Sequence, residues 1–216
     1  MKQHRVTTDF STGQAQIFKN PFLERLTKTN PASNIVIYGI TILLLGYLAI
    51  GVIGLSVISF ITLFCIGFVS WTLAEYLLHR YLFHWYNDWK WTKRFHFIMH
   101  GSHHEYPKDK ERLLMPPVPG LILASLLFCI FYVLFWVFGV SKYTFGYFPG
   151  FFLGYLMYSF VHRAIHVKRP PKRFKYLWLH HNLHHYQYPD KAYGVSNTFW
   201  DKVFGTMPPK PRRKDA

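Results

Sequence analysis

Long uncharged runs, rather than a strict alternation of apolar and polar positions, dominate this chain. From Asn34 to about Ile53 the sequence carries no charge, and roughly 20 such residues suffice to cross a hydrocarbon core of about 30 Å as a helix. Gly51 and Gly54 punctuate its end, and a second run follows at once from about Leu55 to Leu73, reaching Glu75 and His79. So short a connection predicts a helical hairpin. A polar, aromatic segment from Trp85 to Pro117 separates it from a third run, Gly120 to Val140, and a fourth, Tyr143 to Val161, which holds Pro149 and ends on His162. From Arg163 onward the sequence is soluble in character. The prediction is a single all-α, integral membrane domain over 1–216. Four transmembrane helices would form two hairpins (about 34–84 and 119–162), with an amino-terminal segment (1–33) and a histidine-rich helical cap built from 85–118 and 163–216.

Charge sets the expected orientation. Of 25 basic residues, 24 fall in the amino-terminal segment, the middle segment, the tail or at Arg80; only Lys142 lies between the third and fourth spans. The positive-inside rule then puts both termini and the cap in the cytoplasm, at the endoplasmic reticulum in a eukaryote or the inner membrane in a bacterium. The net charge of +15 does not point to nucleic acid, because the basic residues alternate with long apolar runs instead of lining a recognition helix. Residues 1–33 show no apolar stretch of the kind a removable signal peptide needs. Cys65 and Cys129 lie inside apolar runs and are read as packing residues, without a disulfide or CxxC chemistry.

Ten histidines form four clusters: His79 and His84; His100, His103 and His104; His162 and His166; His181, His184 and His185. With four crossings, all four clusters reach one membrane face. Neutral imidazole is the commonest metal ligand, and ten are enough for two ions. On a helix, residues four apart share a face within about 40°, so His162 and His166 can grip one ion. In each HxxHH cluster the adjacent pair diverges by about 100° and can reach two ions. His79 and His84, five apart, are expected to diverge by about 140° and serve separate ions. The spacing of the second half repeats that of the first at an offset of 81 to 83 residues, a faint parallel duplication. A lone histidine at a helix end is more often a cap or an interfacial polar residue than a ligand, and His4 is read in that way; His96 and His180 lie outside the shared spacing and are expected to support the ligands or be solvated, not to ligate. Imidazole suits zinc, iron, copper and nickel alike. The absence of the carboxylate signature of soluble di-iron bundles leaves an all-histidine, oxygen-activating pair as a plausible arrangement.

The stretches HRYLFH at 79–84, HFIMHGSHHEYPKDKERLLMPP at 96–117, HRAIH at 162–166, HHNLHH at 180–185 and GVSNTFWDKVFGTMP at 194–208 resemble the membrane fatty acid hydroxylase superfamily. HGSHHEYPKDKERLLMPP is most similar to the fatty acid 2-hydroxylases within it. The resemblance implies two iron ions bound by the ten clustered histidines, with zinc as a possible occupant of purified protein. It also implies an O2-dependent monooxygenase placing an (R)-2-hydroxyl on a fatty acid or on the acyl chain of a ceramide. Residues 1–33 are too short for the cytochrome b5 domain of longer members and lack HPGG. No intrinsic haem is therefore expected, and electrons are expected from a separate donor such as cytochrome b5, ferredoxin or a reductase. Where the family tends to have Tyr-Asp before HxxxH, this chain has Tyr158 and Ser159, which leaves the acyl acceptor open.

Tyr155 and Tyr158 are candidates for an acyl path, with interfacial packing as the plain reading. Asp201 is a candidate to hydrogen-bond a ligand imidazole. The charge run Asp109–Arg112 can orient a polar head or simply be solvated, and Arg212, Arg213 and Lys214 suit anionic head groups or an acidic donor. Two rival readings stand: the same centre acting on a sterol or carotenoid or as an acyl desaturase, and a non-catalytic metal transporter or sensor. The latter wants polar ligands near the bilayer midplane, and the spans nearly lack them.

Overall fold

The computed structural model describes residues 13–209; His4 and the tail cations Arg212, Arg213 and Lys214 lie outside the described residues. Among the described residues every regular element is helical. Three stretches of the described residues are long and apolar enough to cross a membrane: Pro31–Val52, Val57–Phe83 and Pro117–Val137. The first is α2 (Pro31–Tyr47), capped by the Asn30 side chain with Pro31 in its first turn, followed by a wide turn at Leu48–Val52. Gly54, at φ +76°, reverses the chain into α3 (Val57–Leu77), whose N-terminus Ser56 caps. The third is α6 (Pro117–Val137). All three expose large apolar side chains such as Leu43, Ile58 and Ile122, so they are apolar all round, as a lipid-facing helix must be. Cys65 and Cys129 sit on these outer faces and are exposed, not packed inside as the sequence suggested.

The fourth apolar run folds as α7 (Thr144–Val167), of comparable length but largely sequestered by its neighbours. It packs on α2, α3 and α6, and most closely on α3. Two glycines permit that approach: a Cβ on Gly67 would lie 2.0 Å from the Tyr147 carbonyl oxygen, and one on Gly150 would lie 1.9 Å from that of Phe64. Because backbone stands on both sides, no side chain can rotate away to make room. Gly150→Ala is therefore expected to destabilise the protein by about 3 kcal/mol, read as a lowered thermal midpoint in detergent; an unchanged midpoint would show that α3 and α7 separate freely.

The remaining helices are short. These are α1 (Pro21–Arg25), α4 (Lys90–His96), α5 (Ser102–Glu105), α8 (Lys175–Tyr186) and α9 (Phe199–Val203). Residues 13–29 fold back over the segment that follows α5. The Arg112 guanidinium bonds to both Glu24 and Asp109, and Lys28 pairs with Glu111 at 2.8 Å. The Asp109–Arg112 run is thus mostly paired within the protein, not solvated.

Candidate metal centre

Two wide turns, closed by hydrogen bonds five residues apart, decide where the first histidines point. One at Leu78–Phe83 extends α3, and the other at Phe97–Gly101 joins α4 to α5. His100, His103 and His104 follow on the second turn and α5, His162 and His166 lie on the last turns of α7, and His181, His184 and His185 lie on α8. The chain brings all ten imidazoles together in two groups of five. One comprises His79, His84, His100, His104 and His184; the other comprises His103, His162, His166, His181 and His185. Within each group the ligand nitrogens lie within 4.8 Å of one another.

Every one of the ten rings turns its Nε2 toward its own group. In the first, His79–His100 and His100–His104 approach to 3.0 Å and His84–His184 to 3.1 Å. In the second, His103–His162 and His166–His181 approach to 2.9 Å and His181–His185 to 3.0 Å. An ion about 2.1 Å from each imidazole nitrogen spaces adjacent donors of an octahedron about 3.0 Å apart. The donor set therefore fits two ions, each held through Nε2 by five neutral rings.

The splitting follows helix geometry at most positions. His162 and His166 share a group, His103 parts from His104, and His184 parts from His185. His79 and His84 do not behave as an α-helix predicts: both belong to the first group. The His84 N–H donates to the His79 carbonyl across the wide turn, and a turn closed over five residues brings positions i and i+5 back to one face. His96 and His180 stand outside both groups. His96 Nδ1 bonds to the Phe83 carbonyl, and His180 Nε2 lies 3.0 Å from Asp201.

A ring that binds an ion through Nε2 carries its proton on Nδ1, and the acceptor of that proton fixes the ring. His79 donates to the Tyr193 carbonyl and His184 to the Lys191 carbonyl, the latter at 2.7 Å. Between them Ala192, fully buried at φ +60°, turns these two carbonyls toward the first group. Two buried carboxylates pin this loop. Asp201 accepts from the Tyr193 and Gly194 N–H groups, from the Thr206 hydroxyl and from His180. Glu75 accepts from the Val195 and Ser196 N–H groups and from the Ser196 hydroxyl. Asp201 thus touches no ring of either group; it acts on the loop that holds His79. Glu75 escaped the sequence reading, although a lone acid inside an apolar run was the available signal. In the second group the pattern differs. His162 Nδ1 reaches the Leu113 carbonyl at 3.3 Å, whereas Nδ1 of His103, His181 and His185 is buried with no protein acceptor among the described residues.

Burial, reinforced by neighbouring rings, holds His100, His103, His104, His181 and His185 well below the usual imidazole range. Burial pushes His184 down to about 4 against the opposing Lys191 carbonyl. At neutral pH the rings are free to accept a metal. For Asp201, burial acts upward, but the hydrogen bonds from His180, Thr206 and Gly194 outweigh it and keep the carboxyl ionised. The sign of the linkage follows. Below about 6.5 the unfolded chain takes up protons that the folded rings refuse, so acid favours the unfolded state. The thermal midpoint of metal-free protein is expected to fall as pH drops from 7 toward 4.5; a flat profile would show the rings to be solvated.

A cavity of about 390 Å³ reaches both groups, touching His100 of the first and His103 and His162 of the second. Tyr155, Tyr158 and Ser159 line it, as do Thr27 and Arg112, and the rest of its wall is largely apolar. The Tyr158 ring stacks on His162 at 5.9 Å between centroids.

Comparison with known proteins points the same way. The chain is 36% identical over 156 residues to a dihydroceramide fatty acyl 2-hydroxylase of Arabidopsis thaliana, covering 72% of this chain and 64% of that one. It is 39% identical over 211 residues to a ceramide very long chain fatty acid hydroxylase of Schizosaccharomyces pombe, covering 95% and 58%. It is 38% identical over 156 residues to the fatty acid 2-hydroxylase of Rattus norvegicus, covering 70% and 41%. The matched portions of these relatives thus amount to between two fifths and just under two thirds of their own length. A solved structure of full-length scs7p, in which only the hydroxylase domain is visible, superposes with a TM-score of 0.80 at 35% identity over 91% of this chain and 73% of that one. The family model described as fatty acid hydroxylase matches residues 64–206. That interval contains all ten clustered histidines and both carboxylates that pin the loop, and the chain belongs to the fatty acid hydroxylase family.

Proposed function

We propose that this protein is a two-iron monooxygenase that hydroxylates C2 of a fatty acid or of a ceramide acyl chain, using O2 and electrons from a separate donor protein. The observation that carries this reading is the cavity that touches both histidine groups at one end and is otherwise mostly apolar. The names of the relatives, which act on fatty acids and ceramides, support the same substrate class. The ten clustered histidines would hold two ions, five rings to each, and the ions would supply the oxygen activation and hydrogen removal that an unactivated C–H bond requires.

The chain's own residues bind, orient and exclude water. An acyl chain with its carbonyl end in the larger cavity places C2 beside His103 and His162, with Tyr158 and Ser159 on the side from which the tail leaves. Apolar walls keep water from the reacting carbon. Tyr155 and Tyr158 serve here as walls of the acyl path. In the membrane, α7 is the fourth span. The two hairpins, 34–84 and 119–162, then present the cap, 85–118 and 163–216, on the cytoplasmic side with both termini. The donor is a cytochrome b5, a ferredoxin or a reductase.

The test is turnover of a labelled fatty acid and a labelled ceramide by iron-loaded protein with O2 and a reductant. The expected product is the 2-hydroxy acyl chain, formed only with oxygen. A changed sterol or carotenoid, or a new double bond, would overturn the choice of substrate or reaction. Metal flux in proteoliposomes without oxygen consumption would overturn the enzyme itself.

A further inference from the structure

A second, narrower cavity of about 40 Å³ adjoins the first. Phe83, Met115, Tyr155 and Tyr158 line both, forming the neck between them. The slot follows α7 from Tyr158 back to Phe148, ten residues and so about 15 Å of helix. On α7, the rings of Phe148, Phe152 and Tyr155 form a stacked row, with centroids 6.0 and 5.7 Å apart. The facing wall is α6, with Ala124 and Leu127, and the third is Trp71 of α3 with Leu78 of the wide turn that extends it. The acid in the slot's wall, Glu75, has both carboxylate oxygens engaged by residues 195 and 196. The Trp71 indole N–H and the Tyr155 hydroxyl are buried without a protein partner among the described residues, and no charged group of the slot is free; the remaining lining is mostly apolar and suits hydrocarbon.

We propose that this slot receives the tail of the acyl chain whose carbonyl end occupies the larger cavity, and that Ala124 and Phe148 set the longest chain accepted. The proposal rests on the acyl-hydroxylation reading above. The physical reason is additive burial. Each methylene taken from water or a loose interface into a dry apolar slot is worth roughly fourfold in affinity, and the gain stops where the wall begins. A chain fixed at C2 near His162 runs along α7 and meets Phe148 at the far end. Ala124 is the small, buried residue of the facing helix at that depth. Gly120, one turn nearer the neck, cannot act as an adjustable wall, because a Cβ there would lie 1.9 Å from the Tyr38 hydroxyl.

The experiment is competition among saturated acyl chains of graded length, with purified iron-loaded wild type, Ala124→Leu and Phe148→Ala. Ala124→Leu is expected to lower turnover of the longest chains about tenfold relative to the shortest, which stay within about twofold of wild type. Phe148→Ala is expected to move the preferred length upward by about two carbons. Two bound ions in each variant exclude a collapsed fold as the cause. An unchanged length profile in both variants, or an equal loss at every length, would overturn the proposal. A fatty acid with a diazirine on its terminal carbon gives a readout independent of chemistry. Label on α6 or α7 near residues 124–127 or 148 supports the slot, and label confined to the cap overturns it. If the wild type makes no hydroxylated product at any length, the hydroxylation reading fails, while the label still decides where the tail lies.

Discussion

His184→Ala is expected to abolish turnover and to leave one tightly held ion per chain instead of two, and His103→Ala is expected to do the same to the other ion. Each residue sits within an HxxHH cluster yet joins the group opposite to that of its two cluster mates. His184 Nε2 lies 3.1 Å from His84 in the first group, while His181 and His185 belong to the second. His103 Nε2 lies 2.9 Å from His162 in the second group, while His100 and His104 belong to the first. Groups that merely orient a metal ligand contribute about 10- to 100-fold to metal affinity, so loss of a ligand itself should weaken retention by more than 100-fold. Metal per chain after a chelator wash measures this, and the double variant should hold none tightly. Two retained ions with near-normal turnover in both single variants would remove these residues from the ligand set.

Asp201→Asn is expected to weaken the first group's ion by about 10- to 100-fold and leave the second untouched. Each Asp201 carboxylate oxygen accepts two hydrogen bonds: Oδ1 from Tyr193 N–H and the Thr206 hydroxyl, and Oδ2 from Gly194 N–H and His180. Whichever way an asparagine is turned, its amide nitrogen faces two of those groups and repels at least one donor. The loop carrying the Lys191 and Tyr193 carbonyls then shifts, and His79 and His184 lose the acceptors that orient them. Glu75→Gln should have the same selectivity and a smaller effect, since one oxygen still accepts from the Val195 and Ser196 N–H groups. Selective loss of one ion is the readout that a general loss of stability would not give. Equal loss of both ions would reduce these carboxylates to supports of the fold.

Which parts of this arrangement were legible in the sequence follows from how local the cause is. The helical character and the apolar runs were legible, because lipid-facing helices need no particular partner. The sharing of one group by His162 and His166 was legible too, because α7 is regular there. So was the parting of adjacent histidines in the HxxHH clusters. The placement of His79 and His84 was not, since a wide turn in place of an α-turn leaves no mark in the spacing itself. The bond between Asp201 and His180 was misassigned to a ligand ring for another reason. The loop at 191–197 comes between Asp201 and the rings of the first group, and only the fold reveals that the acid acts on its backbone. Glu75 lay in plain view as the one acid in its apolar run, but its partners are some 120 residues away.

The crosswise exchange of His103 and His184 makes the centre a record of completed assembly. A chain caught with only its first hairpin and first cluster in place presents four imidazoles to one ion and a solitary fifth toward the other. Either half alone is short of a full set in both positions. A full set of five at either position therefore exists only once the second half of the chain has docked on the first, so the number of ions a preparation retains is expected to count its correctly folded molecules.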